Sequence, residues 1–320
     1  MRHPRIVMLI QLALGALVLV SLAPGPSRNT SPPAAGSGDP QPVVGADDPV
    51  IIAAGDIAAC GAGHTGDEAT AALLAGIAGT VLPLGDNVYP DGTSGQFSDC
   101  YDPFWGASNA RARPVPGNHD YHTAGASGYF GYFGAAAGDP SKGYYSFDLG
   151  TWHLIALNSN CTFVGGCDAG SPQETWLRAD LAANQLGNIL AYWHRPRYSS
   201  GFTHGSSTRV RDLYQALYDF HADLIIVGHE HNYERFAPQD ADGGADPAWG
   251  IREFVVGTGG ASHYNFGPPL PNSEVRNSDT FGVLKLTLHP NSYDWDFVPE
   301  AGKTFTDSGS SPTKIGRAHV

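Results

Sequence analysis

Short apolar runs recur along the chain, and most of them stop abruptly at a polar cluster. Val50–Ala54 ends in Gly55-Asp56, Thr80–Leu84 ends in Gly85-Asp86, and the brief Arg113–Val115 leads into Pro116-Gly117-Asn118-His119-Asp120. Ile189–Trp193 delivers His194, and Asp223–Val227, apolar at nearly every position, delivers Gly228-His229-Glu230-His231. Runs of this length closed by glycine predict strands, and an unbroken apolar run predicts a strand buried on both faces. Tyr144–Leu149 and Trp152–Asn158 predict a hairpin around Gly150-Thr151. Ile251–Val256, Phe281–Leu288 and Tyr293–Val298 predict three more strands, the last two turning through Pro290-Asn291.

Helical spacing lies between these runs. Thr65-Gly66-Asp67-Glu68 reads as a capping box opening a helix to about Ala75. Ser171, Pro172 and Glu174 form a stronger start, for a helix to about Gln185 with Trp176, Leu177 and Leu181 on its buried stripe. Thr208–Phe220 places Val210, Leu213, Leu217 and Phe220 on one face. The expected fold class is α/β (α+β), two packed mixed β-sheets flanked by helices, in one domain over residues 49–300.

The ends of the chain change that picture. Arg2 and Arg5 precede an apolar run from Ile6 to Ala23, which reads as a signal peptide or, if kept, a signal anchor over residues 1–23. Residues 24–48 are rich in Pro, Gly, Ser and Ala and read as a flexible linker. Export follows: a secreted protein, or one held at the outer face of the membrane by that segment alone. Residues 301–320 read as a tail. Within it, residues 314–320 (KIGRAHV) match the translation of a sequencing-library adapter and are expected to be read-through rather than native chain.

The 320 residues carry a formal net charge of −13 and no basic face, which argues against a nucleic-acid partner. Forty-one glycines and 24 prolines point to many turns and functional loops. The four cysteines of an exported chain suggest disulfides. Cys161 and Cys167 close a short glycine-bearing loop and are the favoured pair, leaving Cys60 with Cys100; four free thiols is the alternative. Nothing in the pattern speaks to oligomeric state.

Five polar clusters at strand ends carry the chemistry: Asp56; Asp86 with Tyr89; Asn118 with His119; His194; and His229 with His231. Each alone is ordinary, since a glycine-aspartate after a strand is usually a turn. Together they offer carboxylates, a phenol, an amide oxygen and imidazoles. That mixture suits two ions of intermediate hardness (iron, zinc or manganese) better than calcium or copper.

The set GDIAAC, GDNVY, GNHD, the histidine of AYWH, and GHEH resembles the calcineurin-like metallophosphoesterase superfamily. Tyr89, three residues after Asp86, and the run GHEHNYERF from Gly228 to Phe236 resemble its small purple acid phosphatase branch. The resemblance covers roughly Val50 to Phe236 and implies a four-layer αββα sandwich, with no room for the N-terminal domain of the large plant enzymes. It implies that Asp56, Tyr89 and His231 hold Fe(III), that Asn118, His194 and His229 hold Fe, Zn or Mn, and that Asp86 bridges them. His119 and His204 would be the catalytic and substrate-facing histidines, with Asn118 also touching substrate. The implied function is hydrolysis of phosphate monoesters by a metal-bound hydroxide. A phosphodiesterase on the same centre is the alternative. A non-catalytic secreted binding protein of the fold would be expected to lack ligands, and none of the seven is missing. Arg195 and Arg197, flanking Pro196, either bind phosphate or are loop charges. His64, His122 and His263 match nothing firm.

Overall fold

The computed structural model of the protein describes residues 48–61 and 65–314. The signal segment, the linker up to residue 47, His64 and the expected read-through residues 315–320 lie outside the described residues.

Two mixed sheets form the body. In the first, β1 (Val50–Ala54) pairs parallel with β3 (Thr80–Pro83) and antiparallel with β12 (Gly282–Leu288). Then β13 (Ser292–Pro299) and β14 (Ser308–Pro312) extend that sheet antiparallel. In the second, β6 (Trp152–Ala156), β7 (Asn188–Tyr192), β8 (Leu224–Val227) and β10 (Arg252–Val256) run parallel in that order. Its edges are antiparallel: β5 (Tyr145–Leu149) beside β6, and β9 (Tyr233–Phe236) then β11 (Ser273–Asn277) beyond β10. A two-stranded ladder of β2 (Ala58–Ala59) and β4 (Val88–Tyr89) lies just after β1 and β3.

The period-2 alternation of the strands decides the layers. Leu154, Leu190, Leu224 and Ile226 of the second sheet share one core with Ile52, Leu82, Leu284 and Leu286 of the first. Aromatic pairs bridge the sheets directly: Phe254 with Trp295, Trp152 with Tyr293, Tyr233 with Phe297. The alternate residues, Ile155, Ile189, Ala191, Ile225 and Val227, form a second core. Against them pack Leu177 and Leu181 of α4 (Pro172–Ala183) and Leu213, Tyr214 and Leu217 of α5 (Arg211–Asp219). A strand covered on both faces must be apolar throughout, which is why the LIIV run of β8 showed no alternation. Helix α1 (Gly66–Gly76) packs on the first sheet beside β12, and Trp105 Nε1 donates to Thr70 Oγ1 on it at 3.1 Å.

Three local expectations need correction. Thr65 precedes α1 but makes no side-chain cap, because its backbone (φ −130°, ψ 3°) is not the extended form that aims a hydroxyl at the first turn. Asp67 Oδ1 accepts the Glu68 N–H instead. The Ser171 cap does form, accepting the Glu174 N–H, while Glu174 reaches back to the Gly170 N–H. Arg113–Val115 is not a strand of its own; it runs beside β3, donating from the Arg113 and Val115 N–H groups to Val81 and Pro83 carbonyls. Trp176 is half-buried at the margin of the α4 stripe, against Tyr144.

Between β4 and β5 the chain forms short helical pieces, including α2 (Ser94–Gln96) and α3 (Ser127–Phe133). Rings of Phe97, Tyr101, Tyr132 and Phe133 hold them together. Both disulfides form, Cys60–Cys100 and Cys161–Cys167. The stretch read as a tail contains β14, whose sequence SGSSP has no apolar position to betray it.

Candidate metal centre

Parallel neighbours deliver the site. β1 and β3 end together at Gly55-Asp56 and Gly85-Asp86, while β7 and β8 end together at His194 and Gly228-His229. Each chain then reverses sharply: Asp56, Asp86 and His229 have φ of 59°, 47° and 72°. Non-glycine residues seldom adopt the left-handed region, and where they do they mark sites where backbone strain is held in place by surrounding bonds. Here the His229 N–H donates to Asp56 Oδ2 at 2.7 Å, tying the ends of the two sheets together. Gly117 permits a close approach: a Cβ there would lie 2.1 Å from both the Asp86 nitrogen and its Oδ1.

The side chains converge in two groups that share one oxygen. Tyr89 Oη lies 2.8 Å from Asp56 Oδ1 and 3.0 Å from His231 Nε2, and Asp56 Oδ1 lies 3.3 Å from that same nitrogen. His229 Nδ1 lies 3.1 Å from His194 Nε2. Asp86 Oδ2 faces both groups, 3.1 Å from Tyr89 Oη and 3.2 Å from His194 Nε2. Donor atoms of Asp86, His194 and His229 all lie within 4.8 Å of one another. Asn118 Oδ1 is buried with no hydrogen-bond partner, the state of an oxygen awaiting a cation.

Partners behind the rings decide which nitrogen faces inward. His194 Nδ1 donates to the Leu84 carbonyl at 2.9 Å, leaving the Nε2 lone pair inward. His231 Nδ1 meets Ser262 Oγ at 2.6 Å, and the ring stacks on Tyr264 at 3.9 Å. Asp120 Oδ2 accepts from the Gly117 N–H and from Asn87 Nδ2, holding the Gly117–Asp120 turn. Burial, helped by the charge of Asp86, pushes the Asp120 carboxyl up to about 7.

Electrostatics mark the place as a cation site. Burial opposes ionisation of Asp86, yet the imidazoles of His194, His119 and His229 outweigh it and hold its carboxyl far below the usual range. Burial pushes the Tyr89 phenol well up, and the Asp56 and Asp86 charges push it further. A phenolate there requires a strong Lewis acid. Burial, with His194 and Arg195 nearby, lowers His229 well below the ordinary imidazole value.

All nine residues singled out from the sequence meet at this one place. His119 Nδ1 donates to the Pro90 carbonyl at 2.6 Å, and its Nε2 stands 4.0 Å from Asp86 Oδ2. The His204 ring stacks on that of His229 at 4.2 Å. Its loop is pinned by Glu230 Oε1, which accepts the N–H groups of His204 and Gly205. Arg195 Nη1 donates to His229 Nε2 at 2.9 Å, whereas Arg197 turns away to the Ala241 carbonyl. Sequence reasoning missed Glu230, Asp120, Ser262 and Tyr264. The first two sit inside the motifs themselves and were findable as acids with no other task; Ser262 and Tyr264 carry no signal before folding.

The donor set of carboxylates, phenol, amide and imidazoles, with the orphaned Asn118 oxygen, fits a pair of metal ions. The chain matches the family model for calcineurin-like phosphoesterases over residues 48–233. It is 33% identical over 154 residues to purple acid phosphatase 22 of Arabidopsis thaliana, covering 45% of this chain and 34% of that protein. It is 30% identical over 205 residues to acid phosphatase type 7 of Danio rerio, covering 56% of this chain and 43% of that one. The chain therefore spans less than half the length of these relatives. Among solved structures, purple acid phosphatase PPD1 from yellow lupin (Lupinus luteus) superposes with a TM-score of 0.66 at 20% identity, covering 82% of this chain and 53% of that one. GAP50, the anchor in the inner membrane complex of Plasmodium, superposes with a TM-score of 0.61 at 17% identity, covering 83% and 89%. The structural likenesses speak for a shared fold; the family match spans more than half of the chain and takes in the strand ends that carry every candidate residue but none beyond residue 233. On that ground this chain belongs to the calcineurin-like phosphoesterase family.

Proposed function

We propose that the chain is an exported, two-metal hydrolase of phosphate monoesters of the purple acid phosphatase kind. Asp56, Tyr89 and His231 would hold Fe(III), Asn118, His194 and His229 would hold Fe, Zn or Mn, and Asp86 would serve both. The single observation behind this reading is the shared oxygen: Asp86 Oδ2 stands 3.1 Å from Tyr89 Oη and 3.2 Å from His194 Nε2. Two cations at such a centre neutralise phosphate charge and activate water at mildly acidic pH.

The chain's own residues do the rest. Asn118 and the His119 ring face the phosphate from one side, and His204 closes the other. With Nδ1 committed to the Pro90 carbonyl, His119 presents Nε2 to the site, where it holds or gives up a proton at the leaving oxygen. Glu230 and Asp120 position the His204 loop and the Gly117–Asp120 turn. Two disulfides support export, since such bonds persist in oxidising compartments. No helix among the described residues is long and apolar enough to cross a membrane.

The test is a paired assay in mildly acidic buffer, with an aryl phosphate monoester beside the matching diester. Faster turnover of the monoester is expected. Better turnover of the diester would move the function to a phosphodiesterase on the same centre.

A further inference from the structure

Beside the metal-centre residues lies a second, polar cavity of about 380 Å³. His229 and His204 form its inner wall; Arg195, Arg209, Ser206 and Thr208 are among the residues that form the rest. Its lining contains two guanidiniums, three hydroxyl side chains and no carboxylate. In a chain of net charge −13 that composition is unusual, and it sits directly against a candidate metal ligand.

The two arginines are underused. Four other arginines are met by acids, Arg178 by Glu174 and Asp219, Arg211 by Asp242, Arg235 by Asp307 and Arg252 by Glu274, while Arg111, Arg113, Arg197 and Arg276 donate to backbone carbonyls. Among the described residues neither Arg195 nor Arg209 forms an ion pair; burial lowers Arg195, the charge of Asp86 offsets part of that, and the charge of Arg209 lowers it further. Two like charges on one recess whose lining carries no carboxylate form an anion site.

Among the described residues, the one hydrogen bond of the Arg195 side chain is conditional. Its donation to His229 Nε2 at 2.9 Å requires a lone pair on that nitrogen, which places the ring proton on Nδ1, facing His194 Nε2 at 3.1 Å. With the Nδ1 lone pair given to an ion, the proton sits on Nε2, which can no longer accept. Arg195 is then free to turn to another acceptor in the cavity.

We infer that the Arg195–Arg209 cavity is a second anion subsite, so that the preferred substrates are small phosphate esters carrying a second phosphate near the scissile one. This deepens the phosphoesterase reading and rests on it for the site of hydrolysis. The recess, with its exposed hydroxyls, suits a hydrated second phosphate better than an apolar leaving group.

The experiment compares fructose 1,6-bisphosphate with fructose 6-phosphate on the wild type, Arg209→Gln and Arg209→Lys. Two readouts are taken: kcat/KM for phosphate release by the metal-loaded protein, and calorimetric Kd with the metal-loaded full chain carrying His119→Ala to slow turnover, alone and with each Arg209 variant. The bisphosphate should be favoured roughly tenfold in both, the step equivalent to about 1.4 kcal/mol. Arg209→Gln should bring both ratios close to one, and Arg209→Lys should restore most of the preference, with unchanged thermal unfolding showing that each variant is folded. Ratios near one in the wild type, or unmoved by Arg209→Gln, overturn the subsite even if both esters are hydrolysed. A tenfold Kd preference that depends on Arg209, without turnover of either ester, upholds the subsite and overturns the phosphoesterase reading instead.

Discussion

At the scale of single residues, the site is made by positions that other folds avoid. Asp56, Asp86 and His229 adopt left-handed backbone, and Gly117 leaves no room for a side chain above Asp86. Asp86→Ala should lower metal content to one ion or none and abolish turnover; elemental analysis beside the assay reads both. Tyr89→Phe should remove the visible absorption of an iron-loaded sample with the fold intact, and persistence of the band would show that Tyr89 is not the chromophore. His119→Ala should keep its metals but lose roughly 10²–10⁴ in kcat, the usual range for a positioned proton donor, which metal analysis with steady-state kinetics separates from loss of the centre. These residues could be read from the sequence because each sits within a few positions of a strand end. Ser262 and Tyr264 could not: they reach His231 across some 30 residues of chain, and only the fold brings them there.

Among elements, the strands that carry the chemistry were the most legible, because β1, β3, β7 and β8 are buried and end in glycine or histidine. The unread ones lie at edges or in short pieces. β11 and β14 are edge strands with little apolar content, β9 is hidden inside the histidine motif, and β2 and β4 are two residues each. The segment around α2 and α3 has no period to read, since its order comes from clustered rings and from Cys60–Cys100. That bridge spans 40 residues and joins the end of β2 to this segment. Replacing both of its cysteines by serine should cost roughly 3–4 kcal/mol by the loop-closure relation, measured by denaturant unfolding. A loss near zero would mean that the ring cluster alone orders the segment.

For the whole molecule, the shifted titratable groups buried away from the metal centre favour mild acid. His153 meets Asp148 and Asp180, and His289 meets Asp48 and Asp294, through both ring nitrogens. Burial works against their protonation, but the carboxylates outweigh it and raise both. Burial also pushes the Glu253 carboxyl up to about 8. A raised folded-state pKa contributes stability that is complete below the unfolded value and lost as pH rises through the folded one. Thermal stability should therefore fall between about pH 5 and 8, by the ordinary values of these groups. Glu253→Gln should flatten that slope, and a melting temperature that rises across the interval would contradict it. The central claim is a two-metal centre, and its most direct measurement is elemental analysis of the purified protein with a visible spectrum. About two metals per chain, one of them iron with a phenolate band, is the predicted result. A fully active chain with one metal or none would contradict it.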